Sequence, residues 1–202
     1  MMKKRDLLRS AVLISLIPIW GNHPEARIDL VTNMEYAVYS ALLDQIVESP
    51  KDGKEVKLLV VNDQTEGPDK KCIPEEIAQW YGDVKSDEIK PIFENLIAKN
   101  RDSKTLYRKF KLDRQYVLLN AKNFASMFEM RNLDGWNEFY RRYPDSSGYI
   151  TFSRVGFNSD ETKALIYRRT NCGELCGYAG YILLSKDNGK WKEIGSYGCS
   201  ES

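Results

Sequence analysis

The chain has 202 residues, of which 42% are hydrophobic and 29% are charged. This composition is typical of a folded globular protein and excludes an intrinsically disordered one. The formal net charge is only +1, so no overall charge favours nucleic acid or an anionic membrane as a partner.

The first 26 residues have the pattern of an export signal. A basic start over residues 3–9 precedes an apolar run over residues 10–20, which Pro18 and Gly21 interrupt. This run is shorter than the roughly 20 apolar residues that a membrane-spanning helix needs. We therefore expect residues 1–26 to be a signal peptide or an N-terminal anchor, and the protein to be periplasmic or extracellular.

No cleavage site stands out in this segment, because Ile19 or Pro24 would occupy the minus-three position. An uncleaved, membrane-tethered form and a buried N-terminal core helix therefore stay open as alternatives. Cleavage after Ala26 would remove the only histidine, His23. Residues 27–202 would then carry 26 basic and 27 acidic residues, a net charge of −1, in a length that suits one domain.

The first predicted element of that domain is a helix. Thr32 and Glu35 have the spacing of a capping box, and apolar residues follow at four-residue steps from Met34 to Ile46, before Pro50. Further elements are predicted in chain order: an interior strand at 56–61, an irregular surface excursion at 63–87, a helix at 89–97, a strand at 116–119 and two short helices at 124–128 and 136–140.

The C-terminal third is predicted to be a four-stranded antiparallel meander. Asn188-Gly189 is the strongest local signal, because a type I′ hairpin turn needs positive φ at both central residues. Helices followed by a meander indicate an α+β domain, with the N-terminal helices packed on one face of an antiparallel sheet. The four predicted strands lie at 149–157, 163–169, 178–184 and 191–196.

Six segments of this chain carry a resemblance to other proteins. They are EYAVYSALL (35–43), GW..FY..YP (135–144), GYITFSRVGFN (148–158), KALIY (163–167), NCGELCGYAGYILL (171–184) and NGKW (188–191). Together they resemble a group of exported bacterial proteins without assigned function. The resemblance implies export and a shared fold, but no activity and no catalytic residue. Cys172 and Cys176 belong to the resembling pattern, whereas Cys72 and Cys199 depart from it.

The four cysteines allow three disulfide connectivities. Cys172 and Cys176 flank a short predicted loop that can bring their Cα atoms within bridging range, and Cys72 would then pair with Cys199. An oxidising compartment favours such structural disulfides. A four-thiolate zinc site and a redox-active pair are the alternatives, although C-x3-C departs from the usual two-residue spacing of both. We expect neither a metal nor another cofactor.

Catalysis is not expected either. Without His23 the domain has no imidazole, which excludes Ser-His-Asp and Cys-His arrangements and histidine-ligated metals. An enzyme would have to use carboxylates, Lys, Tyr or Ser, and no carboxylate pair is marked by its spacing. No catalytic residue is therefore predicted.

A basic stretch at 99–114, with Tyr107 and Phe110 interleaved, is best interpreted as a solvated helix end and edge strand. An anionic envelope ligand is the first alternative, and nucleic acid is a less favoured one. Arg154, Trp136 and Tyr140 are the candidate ligand-binding residues. Arg154 lies in a predicted strand, where the solvent face is favoured over a cavity, and the two aromatic residues more often belong to a core than to a pocket.

Two functions are consistent with these features. The first is a non-catalytic binding or interaction module of the cell envelope, with an envelope protein or an anionic polymer as its partner. The second is a small-molecule-binding or histidine-free enzyme domain with the cone-shaped fold of the nuclear transport factor two and ketosteroid isomerase superfamily, a likeness of architecture only. A deep apolar cavity between sheet and helices would favour the second, and a filled core the first.

Overall fold

The structure is a computed structural model that describes residues 30–49, 52–68, 86–129 and 134–201. The predicted signal or anchor segment, with His23, and also Cys72 lie outside the described residues. The elements in chain order are α1 (Asn33–Asp44), β1 (Leu58–Asn62), α2 (Ser86–Lys99), β2 (Gln115–Leu119), α3 (Ala121–Ser126), α4 (Gly135–Arg142), β3 (Ser146–Phe152), β4 (Gly156–Phe157), β5 (Lys163–Gly173), β6 (Cys176–Asp187) and β7 (Lys190–Glu201).

The strands form one mixed sheet of seven strands in the order β2-β1-β3-β5-β6-β7, with β4 paired to β5. β3, β5, β6 and β7 are antiparallel neighbours. The predicted α+β class and C-terminal meander are thus confirmed. The strands β1, β2 and β3, however, are parallel. Parallel neighbours need long crossover connections rather than hairpin turns, so no local signal in the sequence marked this half of the sheet.

Helices cover both faces of the sheet, whereas the sequence analysis expected them on one face. Successive residues of a strand point to opposite faces. On β1, Leu59 and Val61 belong to the core cluster that contains α1 residues, whereas Val60 belongs to a cluster on the other face. On β5, Ile166 joins the α1 cluster, and Leu165 joins a cluster with residues of α2. Both strands are therefore apolar on both sides because both sides are covered.

The part of the chain that the structure describes contains no helix with the length and apolar character that crossing a membrane requires.

The turn between β6 and β7 has the predicted form. Asp187 pairs with Lys190 across the hairpin, and the two residues between them have φ of 49° at Asn188 and 78° at Gly189. Two central residues with positive φ define the type I′ turn. The turn sets the register of the last two strands as far as the pair Leu184 and Glu193, beyond which the register shifts twice.

We predict that Gly189→Val lowers the free energy of unfolding by about 1 to 3 kcal/mol, since a β-branched residue is strained at positive φ. A Cβ at this position would meet no atom within 4 Å, so the cost is backbone strain rather than a clash. Chemical denaturation measures it. Asn188→Gly is the matched control and should leave the free energy of unfolding nearly unchanged. An unchanged denaturation midpoint for Gly189→Val would contradict the prediction.

Candidate functional site

Arg154 is buried, and its predicted position on the solvent face is wrong. Its exposed fraction is 1%. Its Nε donates to Oε1 of Glu35 at 2.6 Å, and its Nη2 donates to Oε2 of the same carboxylate at 3.0 Å. Residues 153–155 lie between β3 and β4, so the alternation expected within a strand does not apply there. The side chain turns instead toward the N-terminus of α1.

The polar groups around this ion pair satisfy one another. Glu35 also accepts hydrogen bonds from the backbone N–H of Thr32 at 2.8 Å and of Val155 at 3.2 Å. The Asn100 side chain accepts from the Arg154 N–H at 2.8 Å and donates to the Arg154 carbonyl at 3.2 Å. Burial alone would raise the pKa of Glu35, but the hydrogen bonds from Arg154 and Thr32 hold it below its ordinary value. Arg154 is therefore a structural residue bound to Glu35.

We predict that Glu35→Gln destabilises the protein by about 3 to 5 kcal/mol at pH 7, because it leaves the Arg154 cation buried without its counter-ion. The contribution of the Glu35 carboxylate is complete above its unfolded pKa of 4.5 and is lost as the pH falls through its lower folded pKa. The difference between wild type and variant should therefore be constant above about pH 4.5 and shrink below it. Urea unfolding at several pH values measures this difference.

The double variant Glu35→Gln/Arg154→Met is the control for that experiment. It removes both charges and should recover part of the lost stability. If the double variant loses as much unfolding free energy as Glu35→Gln and Arg154→Met lose together, or more, the assignment of a coupled pair is contradicted.

Trp136 and Tyr140 lie on α4, away from Arg154. Trp136 lines a cleft of about 490 Å³ beside the Cys172–Cys176 loop, together with Phe124 and Phe128. The Tyr140 hydroxyl donates to the carbonyl of Cys172 at 2.9 Å. These two aromatic residues thus support the loop and border a shallow cleft, and the structure does not bring them together with Arg154.

The Cys172–Cys176 disulfide is confirmed, with Cα atoms 5.0 Å apart. Cys199 lies on β7, but Cys72 lies outside the described residues, so the pairing of these two stays a prediction. None of the cysteines that the structure describes is a free thiol. Within the described ranges, no group of three or more His, Cys, Asp or Glu side chains could hold a metal ion.

A cleft of about 920 Å³ runs along the outer side of α1, and we call it the lysine cleft. The helix contributes one stripe of side chains at helical spacing. Residues of the 109–111 segment and of the β6–β7 turn line it as well. Its lining residues are Asn33, Tyr36, Ala37, Ser40, Ala41, Asp44, Lys109, Lys111, Gly189, Lys190 and Trp191.

Hydrogen bonds to α1 hold the 107–111 segment in place. The Tyr36 hydroxyl accepts from the backbone N–H of Tyr107 at 2.7 Å, and the Ser40 hydroxyl accepts from the backbone N–H of Lys111 at 2.9 Å. Burial raises the pKa of Tyr36, although the hydrogen bond from Tyr107 opposes the shift. The phenol therefore stays neutral and keeps its structural contact across the neutral pH range.

The lysine cleft has a cationic rim and an indole donor. Lys109, Lys111 and Lys190 are exposed, and Asp44 is the only acidic residue among the lining residues. Trp191 is 6% exposed, and its Nε1 has no hydrogen-bond partner among the described residues. Because a buried donor without an acceptor costs about 1 to 3 kcal/mol, a ligand oxygen that reached this N–H would be favourable.

The basic residues of the stretch at 99–114 make different kinds of contact. Lys99 donates to the Val155 carbonyl at 3.0 Å, and Arg114 donates to the Asp44 carbonyl at 3.2 Å and also to that of Ile46. Lys109 and Lys111 are the residues of this stretch that line the cleft. The contribution of the β6–β7 hairpin was missed. The Asn188-Gly189 turn signal located this hairpin, but no sequence pattern showed that it folds beside α1.

No family model, curated protein or solved structure with which the chain was compared matches it.

Proposed function

We propose that this protein is a non-catalytic binding module of the cell envelope and that the lysine cleft binds an anionic polymer. The observation that carries the proposal is the buried N–H of Trp191, which lacks an acceptor in the described structure, inside a cleft with three lysines. The N–H supplies a directional contact to an oxygen atom. The lysines supply charge attraction to anionic groups of the ligand.

The shape of the lysine cleft supports an extended ligand. Its volume of about 920 Å³ lies near the upper end of pockets for small molecules, which hold roughly 300 to 1,000 Å³. Ala37 and Ala41 place small side chains along the α1 side, which leaves room for a chain to lie against the helix. Exposed lysines bind phosphate or carboxylate groups as point charges, so they suit a flexible polymer with repeated anionic groups.

The alternative, a small-molecule binder or histidine-free enzyme with a cone-shaped fold, has less support. That fold sets helices against a curved antiparallel sheet, whereas this sheet has a parallel half. The space between α1 and the sheet is filled by side chains, among them Tyr39, Leu42 and Leu43, each 0% exposed. The filled core is the feature that was expected to favour an interaction module over an enzyme.

We predict that the triple variant Lys109→Gln/Lys111→Gln/Lys190→Gln binds fluorescently labelled long-chain polyphosphate at least about tenfold more weakly than wild type at low salt, with a smaller salt dependence. Each lysine removed also removes counter-ion release from the binding equilibrium. Fluorescence anisotropy titrations at several salt concentrations measure both quantities. Labelled poly-L-glutamate serves as a second probe and tests whether a carboxylate polymer is preferred.

The matched control is Lys57→Gln/Lys90→Gln/Lys122→Gln, which changes the net charge equally at exposed positions outside the cleft. It should retain wild-type affinity. Equal losses in both triple variants would show that only net charge matters and would overturn the cleft as the site. Trp191→Phe keeps an aromatic ring but lacks the indole N–H, so it should weaken binding without changing the salt dependence.

We predict that residues 1–26 direct export when fused to a reporter enzyme that is active only after its disulfides form outside the cytoplasm. The basic start and apolar run are the features that an export pathway recognises. Leu13→Arg interrupts the apolar run and should abolish reporter activity. Activity that is absent from the unmodified fusion, or unaffected by Leu13→Arg, would contradict the envelope location.

A further inference from the structure

A second cavity lies on the α1 face of the sheet and shares no lining residue with the lysine cleft. We call it the Arg168 cavity. Its volume is about 380 Å³, and it lies between the segment 45–48, which follows α1, and side chains of four strands. These include Ser147 on β3, Arg168 and Thr170 on β5, and Glu193 on β7.

The strand register explains why these groups meet. Arg168 pairs with Phe152, and Thr170 pairs with Ile150. Phe152 and Ile150 belong to the core cluster on the α1 face, and paired residues of neighbouring strands point to the same face. Arg168 and Thr170 therefore point to the face of the sheet that α1 covers. They lie beyond the end of this helix, where β5 carries a guanidinium and a hydroxyl instead of apolar side chains.

Two donors of this cavity lack an acceptor among the residues that the structure describes. Ser147 is 1% exposed, and neither its Oγ nor the buried Nε of Arg168 has a hydrogen-bond partner among the residues that the structure describes. A buried polar group is almost always hydrogen-bonded in a folded protein. Two such groups lining one cavity therefore indicate a site for an acceptor that the described part of the chain does not supply.

The charge of Arg168 is only partly balanced by its surroundings. Its Cζ lies 5.4 Å from the centre of the Tyr178 ring, a cation–π distance. Burial lowers the pKa of Arg168, and the charge of Glu193 opposes that shift. A guanidinium stays protonated in a protein, so the half-buried guanidinium of Arg168, with its buried Nε, favours an anion at hydrogen-bond distance.

We propose that the Arg168 cavity binds a small molecule through its carboxylate group, which accepts from Nε of Arg168 and Oγ of Ser147. A monocarboxylate adds only one negative charge beside the guanidinium. Glu193 at the same cavity, and Glu48 in the 45–48 segment, disfavour a dianion such as phosphate. Tyr178 and Ile46 provide apolar surface for the body of the ligand. This site is independent of the proposed polymer binding, because the two cavities are lined by different residues.

The test is a titration of the protein with 3-phenylpropionate, followed by calorimetry and by the NMR signal of the Arg168 Nε–H. Saturable binding at millimolar concentration, with a shift of that signal, is expected. Phenylalanine has the same carboxylate and an added ammonium group, so tighter binding of phenylalanine would identify a zwitterion as the preferred ligand within the same chemistry. Absence of saturable binding by both carboxylates would overturn the proposal, as would stronger binding of 2-phenylethylamine or inorganic phosphate.

Variants separate the site from a general effect on folding. Arg168→Met and Ser147→Ala should each weaken carboxylate binding by at least about tenfold, which corresponds to the loss of one hydrogen bond to a charged group. Ser147→Ala removes a buried hydroxyl that has no partner among the described residues, so the melting temperature without ligand should not fall. Arg169→Met is the matched control, because Arg169 is the next residue of β5 and pairs with Glu66 at 3.1 Å, and it should retain wild-type affinity. Equal loss in Arg169→Met would contradict the site.

Discussion

The bidentate contact between Glu35 and Arg154 joins three parts of the chain that are far apart in sequence. It links the first turn of α1 to the connection between β3 and β4, and Asn100 adds the end of α2 to the same network. Either charge would be strongly unfavourable in this interior without the other. Placing α1 elsewhere on the sheet would separate the two charges. The position of this helix therefore depends on this electrostatic contact as well as on its buried apolar stripe.

Both proposed ligand sites depend on that position of α1. The lysine cleft uses the outer side of the helix, and the Arg168 cavity is closed by the residues that follow its last turn. The two sites differ in chemistry. The lysine cleft has exposed cations at its rim, whereas the Arg168 cavity has two buried donors in a small space. A shift of α1 would change both sites. It would break the contact of the Tyr36 hydroxyl at the lysine cleft and would move the 45–48 segment at the Arg168 cavity.

Sequence patterns predicted the features that depend on neighbouring residues. The capping box of Thr32 and Glu35, the Asn188-Gly189 turn and the Cys172–Cys176 bridge are all encoded within five residues or fewer, and all three are present. The prediction for Arg154 failed because its partner lies 119 residues away. The proposed Arg168 cavity was missed for the same reason, since Ser147 and Arg168 become neighbours only when β3 and β5 pair. The parallel strands β1, β2 and β3 are not joined by hairpin turns, so the sequence contains no turn signal for their pairing.

The long separation between Glu35 and Arg154 also sets an order of events during synthesis. At about 5 to 20 residues per second, a ribosome adds Arg154 roughly 6 to 24 seconds after Glu35. Until then the Glu35 carboxylate in the first turn of α1 lacks its bidentate partner, so burial of this helix is less favourable than in the finished domain. The N-terminal half of the domain is therefore expected to stay loosely packed while it is being made. A chain with this property would remain threadable for most of its synthesis, which suits the proposed export of the protein in an unfolded state.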